Sequence, residues 1–226
     1  MTKEAHMKFP SAVQQYIQHV SATARQHDVK LNFIPQHRIS YSTCTGLLVS
    51  GYFVDRPHKE LAVGTDKPLN DWLGVLVHEA CHMDQWIEQT TVWNDIIVQG
   101  REAVDWVDDW TKGKDDLPLP IEQLIDRARN VEWDCERRAH AAIIKHDLPI
   151  DPNQYAQKAN AYVYFYNHLL KTRAWNGPHN SPYELQRVWT HAPNHFNDTT
   201  GQTPALLQSV FDTEYPPLLN RGFRIK

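Results

Sequence analysis

Val75-Leu76-Val77-His78-Glu79-Ala80-Cys81-His82-Met83 decides how this chain is read. It spells H-E-x-x-H inside an apolar run that suits a buried helix. Residues four apart stand nearly above one another on a helix, so His78 and His82 point the same way. Two imidazoles on one face make half of a tetrahedral zinc site. Glu79, beside them, is placed to take a proton from a water at such a site. With 13 His in the chain, the pattern can arise by chance. Its setting argues otherwise. Val75, Leu76, Val77, Ala80 and Cys81 mark a buried helix, where two imidazoles and a carboxylate left unsatisfied cost several kcal/mol.

Upstream, Val13, Tyr16, Ile17, Val20 and Ala24 recur at helical spacing, so a first helix runs from Ser11 to about His27, with Ser11 and Gln14 as a capping box. Three strands follow: Val29 to Phe33, which alternates; Gly46 to Val54, apolar and β-rich; and the short Leu61-Ala62-Val63-Gly64-Thr65. Together they predict a small, mostly antiparallel sheet. Asn70 or Asp71 caps the motif helix, which ends near Glu88.

Downstream the chain reads as helical. One helix is expected over Val92 to Trp110, with Asp105, Asp108 and Asp109 on a solvated face. A long helix runs from Pro120 to about His146, and another from Asp151-Pro152 through Leu170. Ser181-Pro182-Tyr183-Glu184 combines a capping box with proline at the first position and predicts a helix start. Thr203-Pro204 opens a last short helix. The fold class is therefore α+β: one domain over 1–226, with lobe 1–90 holding helix, sheet and motif helix, and lobe 91–226 mainly helical.

A catalytic zinc site needs a third protein ligand. Glu132 and Glu136 lie one turn apart on the long helix. One can bind metal while the other accepts a hydrogen bond from a ligand imidazole, and Glu132 is the favoured ligand. Other candidates are Glu88, six residues after His82; a thiolate from Cys44 or Cys135; and His140. Cys81 reads as a small buried residue. As a surface acid, Glu132 would pair with Arg129 instead.

His78-Glu79-x-x-His82 followed by Glu132-x-x-x-Glu136 resembles the gluzincin metallopeptidases, whose thermolysin-like pattern is H-E-x-x-H and then E-x-x-x-D on a downstream helix. The likeness covers Val75 to Arg138. It departs in Glu136, which stands for the Asp, in Asp84, where an apolar residue is usual, and in a longer gap between the motifs. The resemblance implies a compact zincin-like fold and Zn2+ held by His78, His82 and Glu132, with Glu136 orienting a ligand histidine. It also implies hydrolysis of peptide bonds, with Glu79 as general base. An oxyanion donor would come from the helical lobe, where Tyr164, Tyr166, His179 and Tyr183 are candidates. The loop Trp175 to His179 would form a cleft wall, and the Leu61–Thr65 strand would be the edge along which an extended peptide pairs.

Composition narrows the alternatives. A formal charge of −4 gives no reason to expect nucleic acid as partner. No apolar run reaches the length of a membrane span. The N-terminus lacks the apolar core of a secretory signal. Three cysteines fit a reducing compartment, so the expected location is cytoplasmic. The expected partner is a peptide or protein substrate; other protein partners are not readable. Two further readings stay open: another metal-dependent amide hydrolase of the deformylase type, with Cys as third ligand, and a non-enzymatic domain with a structural zinc.

Overall fold

In a computed structural model of the chain, residues 9–41, 48–176, 180–197 and 200–217 are described. Cys44, His179, the turn at 42–45 and the tail 220–226 lie outside them. The architecture is α+β, with a three-stranded sheet, two two-stranded pieces and a majority of helix. The chain divides into two compact units, Met1–Ile87 with Ala141–Ile150, and Glu88–His140 with Asp151–Lys226. Among the described residues no helix is long and apolar enough to cross a membrane.

The first unit opens with α1 (Ser11–Gln26), which buries Val13, Tyr16, Val20 and Ala24 on one stripe. The expected capping box does not form. Pro10 occupies the N-cap position, so Ser11 already sits inside the first turn, and the Gln14 amide donates to the Phe9 carbonyl at 2.6 Å.

The sheet runs β1 (Lys30–Ile34), β5 (Glu60–Gly64), β4 (Gly51–Val54) in space. β5 lies parallel to β1, with Leu31 opposite Leu61, and antiparallel to β4, with Phe53 opposite Leu61. Leu61–Thr65 is therefore not the edge that the sequence suggests but the centre. All five β5 residues are buried, as expected of an apolar run covered on both faces. The predicted Gly46–Val54 strand breaks at Ser50. Leu48–Val49 (β3) pairs with Ile39–Ser40 (β2), while β4 turns to β5. At Gly64 a Cβ would stand 2.7 Å from the Gln36 carbonyl, which requires glycine there.

The motif helix α2 spans Leu69–Glu88 and buries Trp72, Leu73, Leu76, Val77, Ala80, Cys81 and Met83. Each large aliphatic side chain among them contributes about 1.5–3 kcal/mol on burial. Asn70 and Asp71 fall inside the first turn instead of capping it. The Pro68 carbonyl accepts from the amides of Asp71 and Trp72 at 3.0 and 3.2 Å.

In the second unit the expected Val92–Trp110 helix is split. A short α3 (Thr91–Asp95) is capped by the Thr90 hydroxyl, and α4 covers Ala103–Thr111. Between them β6 (Ile97–Val98) and β7 (Arg101–Glu102) form a hairpin. Its turn residues Gln99 and Gly100 have φ of 50° and 79°, the left-handed pair that a tight hairpin demands. The acidic face is tied down by cations. Asp109 takes Arg101 at 3.0 Å and Lys114 at 2.8 Å, and Asp108 takes Lys112.

The long α5 spans Ile121–Lys145, and α6 spans Pro152–Thr172. Asp151 caps α6, accepting from Asn153 N at 2.9 Å and Gln154 N at 3.3 Å. Leu124, Ile125, Ala128 and Val131 of α5 join Val107, Tyr166 and Leu169 in one core cluster. The expected helix start at Ser181 is only a turn, and α7 is confined to Gln186–Trp189. The Ser181 hydroxyl accepts from Asn176, and Leu185 is extended, so the capping geometry is not available. The last helix, α8, spans Ala205–Glu214.

Candidate metal centre

On α2 the His78 and His82 rings stand at 87° with centroids 4.7 Å apart, and their Nε2 atoms are 3.1 Å from each other. Two nitrogens at about 2.0–2.1 Å from one tetrahedral ion such as zinc would be about 3.3 Å apart. The spacing in the chain fits that arrangement. The other nitrogen of His82, Nδ1, lies 2.8 Å from Gln85 Oε1, and Gln85 is wholly buried. An amide oxygen only accepts, so His82 Nδ1 is the donor in this contact. Glu79 is 8% exposed. Gly51 of β4 lies against it, since a Cβ there would approach Glu79 Cγ to 3.2 Å and Val75 Cγ1 to 2.5 Å.

On α5, Glu132, Cys135 and Glu136 fall within little more than one turn. Cys135 is fully buried, and Glu136 Oε2 accepts the Tyr155 hydroxyl at 2.6 Å. Glu132 acts on Tyr162 of α6. Burial, then the Glu132 charge, then Tyr166 hold the Tyr162 phenol well above its ordinary range, so it stays protonated and can donate. The Tyr162 and Tyr166 hydroxyls are 3.2 Å apart. Cys135 stands three residues after Glu132 on the same helix, so α5 offers a buried thiol as well as carboxylates. Two imidazoles and a thiolate are a donor set that can hold a metal ion.

The remaining candidates have other engagements. Glu88 pairs with Arg138 at 2.8 Å, and Arg138 also takes Asp134 at 2.7 Å. His140 packs on Phe196, with ring centroids 5.5 Å apart, and burial lowers its pKa. Arg129 reaches Asp126 and Asn167. Tyr166 is buried, and Tyr164 accepts a hydrogen bond from Asn197 at 3.1 Å. Tyr183 is 37% exposed and sets its ring 6.0 Å from that of Tyr162.

Four residues at these positions are not singled out by the sequence reading: Gly51, Gln85, Tyr155 and Tyr162. Two left a signal. Gln85 follows His82 by three residues, one helical turn, and Tyr162 precedes Tyr166 by four. Gly51 and Tyr155 meet their partners only through the tertiary fold. No family model, no curated protein and no solved structure matches the chain, so its function must be argued from these residues.

Proposed function

We propose that the chain is a zinc-dependent peptidase of gluzincin type with a zincin-like fold. The observation that carries this reading is the pair of Nε2 atoms 3.1 Å apart, with His82 held by Gln85 and Glu79 beside it. His78 and His82 would hold the metal, with Glu132 as third ligand and Glu136 steadying an imidazole. Zinc held there supplies a Lewis acid for the scissile carbonyl. Glu79 takes the proton of the attacking water and returns it to the leaving amine. Tyr162, a protonated hydroxyl next to Glu132, is assigned to the oxyanion. An extended substrate would pair along β4, the terminal strand of the sheet beside Glu79.

One observation favours a second reading, with Cys135 in place of Glu132. It is the fully buried Cys135 thiol, three residues after Glu132 on α5. A His, His, Cys set beside Glu79 suits an amide hydrolase of the deformylase type. Metal content of wild type, His78→Ala, Glu132→Ala and Cys135→Ser tests both. About one zinc per chain, lost in His78→Ala, is expected. Weakening in Glu132→Ala supports the peptidase. Weakening in Cys135→Ser, with an intense near-ultraviolet thiolate band in the cobalt-substituted protein, supports the second reading. Glu79→Gln should keep the metal and lose hydrolysis; cleavage retained by that variant overturns both.

A further inference from the structure

We propose that a cavity between α6 and α8 binds a small zwitterion, either an α-amino acid or a short peptide with free ends. It needs none of the residues assigned to the metal, and it lies wholly within the second unit.

The cavity measures about 540 Å3, a size usual for small-molecule sites. Asn167 and Lys171 of α6, Thr203, and Gln208 and Asp212 of α8 line it. Most of its lining side chains are polar, so it suits a polar ligand. Lys171 and Asp212 put opposite charges on one cavity without pairing with each other. Among the described residues Lys171 has no ion pair at all.

Two buried residues hold the walls. Arg129 is 9% exposed and donates to Asn167 Oδ1 and to Asp126. Asn167 Nδ2 in turn donates to the Thr203 hydroxyl oxygen at 3.1 Å and to the Thr200 carbonyl at 2.8 Å. With its oxygen accepting, the Thr203 hydroxyl keeps its hydrogen to donate. On the other wall His168 is 1% exposed, and its Nε2 donates to the Tyr215 carbonyl at 2.7 Å. Its Nδ1 accepts from Gln208 Nε2 at 3.3 Å, and the same amide donates to Asp212 Oδ1 at 2.8 Å. Burial lowers the His168 pKa, which keeps Nδ1 an acceptor. Buried groups thus fix a hydroxyl donor and a carboxylate acceptor on the cavity, and Lys171 adds an ammonium.

The charges select the ligand. An anion alone would be repelled by Asp212, and a cation alone by Lys171. A ligand with both charges satisfies both, its carboxylate on Lys171 and Thr203 and its ammonium on Asp212. The two ends of an amino acid or of a short peptide carry this chemistry.

The experiment is calorimetric titration of the full chain with a chelator present, so that metal plays no part. The probes are glutamine and triglycine. Each is compared with its N-acetylated form, which lacks the ammonium, and its C-terminal amide, which lacks the carboxylate. Saturable binding of glutamine or of triglycine is expected, and the tighter of the two identifies amino acid or peptide as the source. Both blocked forms should bind about 10-fold more weakly or worse, since each loses a charge-assisted hydrogen bond. Lys171→Met and Asp212→Asn should each weaken the free zwitterion to a similar degree. Lys171 is exposed and the Asp212 side chain is 60% exposed, so both variants should fold. Lys171→Met should also bind the amide as well as it binds the free acid. No saturable binding of either zwitterion overturns the proposal. Wild type that binds a blocked form as tightly as the free zwitterion overturns it too, and so does unchanged affinity in either variant.

Discussion

Gly51 faces Glu79, and the surroundings leave no space for a side chain on Gly51. A Cβ at that position would lie 3.2 Å from Glu79 Cγ, 2.5 Å from Val75 Cγ1 and 2.9 Å from the Ala62 carbonyl oxygen. The last of these is backbone in the central strand and cannot rotate away. Gly51→Ala is expected to destabilise the protein by about 1–3 kcal/mol through overpacking. It should also lower hydrolysis more than it lowers zinc affinity, because the methyl pushes on the general base and leaves the imidazoles in place. Denaturant unfolding and zinc titration of the variant check this. Gly201→Ala, where a Cβ meets nothing within 4 Å, is the control and should be close to neutral.

Tyr162 is held in its protonated form by burial and by the Glu132 charge. Removing its hydroxyl as Tyr162→Phe should lower kcat by about 10²–10³-fold if it stabilises the oxyanion, with zinc affinity unchanged. Tyr166→Phe removes the neighbouring hydroxyl from a buried ring. It should instead cost about 1 kcal/mol of stability and affect kcat little. Equal kcat losses in both variants would remove the distinction between donor and support.

Local pattern made much of this fold legible, and long-range pairing hid the rest. The stripe of Val13, Tyr16, Val20 and Ala24, the motif helix, and Asp151 capping α6 are all set by neighbours within a few residues. The strand order is not. Leu61–Gly64 reads the same at an edge or a centre until its partners are known, and its parallel partner β1 lies some thirty residues earlier. The split of Val92–Trp110 was marked by Gly100, but Gln99 beside it gives no sign of its positive φ. At the site, H-E-x-x-H was visible because it is local. Which α5 side chain would complete the site is not a local property, and a buried thiol such as Cys135 looks like any small core residue in a sequence.

His168 gives the stability a pH dependence that can be signed. It is buried on α6, and Nε2 donates to the Tyr215 carbonyl at 2.7 Å. Burial lowers its pKa, outweighing the Tyr215 carbonyl and the Asp212 charge that raise it; Lys171 lowers it further. The fold thus favours the neutral ring. A group with a depressed folded pKa contributes stability above its unfolded pKa, about 6.5 for histidine, and loses it as pH falls toward the folded value. His140 and His146 are shifted the same way by burial and add to the effect. The urea midpoint should therefore drop between about pH 7.5 and pH 5. A His168→Gln variant should show a shallower drop; an equal one would place the dependence elsewhere.

Metal removal should be readable as stability without any substrate. If zinc binds the folded chain and not the unfolded one, a free concentration about 100-fold above Kd adds about 2.7 kcal/mol. For a chain of this length that corresponds to a rise of roughly 5–11 °C in Tm. Chelation should reverse the rise. His78→Ala should abolish it while leaving the metal-free Tm near that of wild type, because His78 is only partly buried and its loss leaves no large cavity. Differential scanning calorimetry of wild type and His78→Ala, each with zinc and with chelator, makes the comparison. An equal zinc-induced shift in both would assign the binding to other residues, since unpaired surface histidines also take up metal. The absence of a shift in wild type would detach H-E-x-x-H from metal altogether.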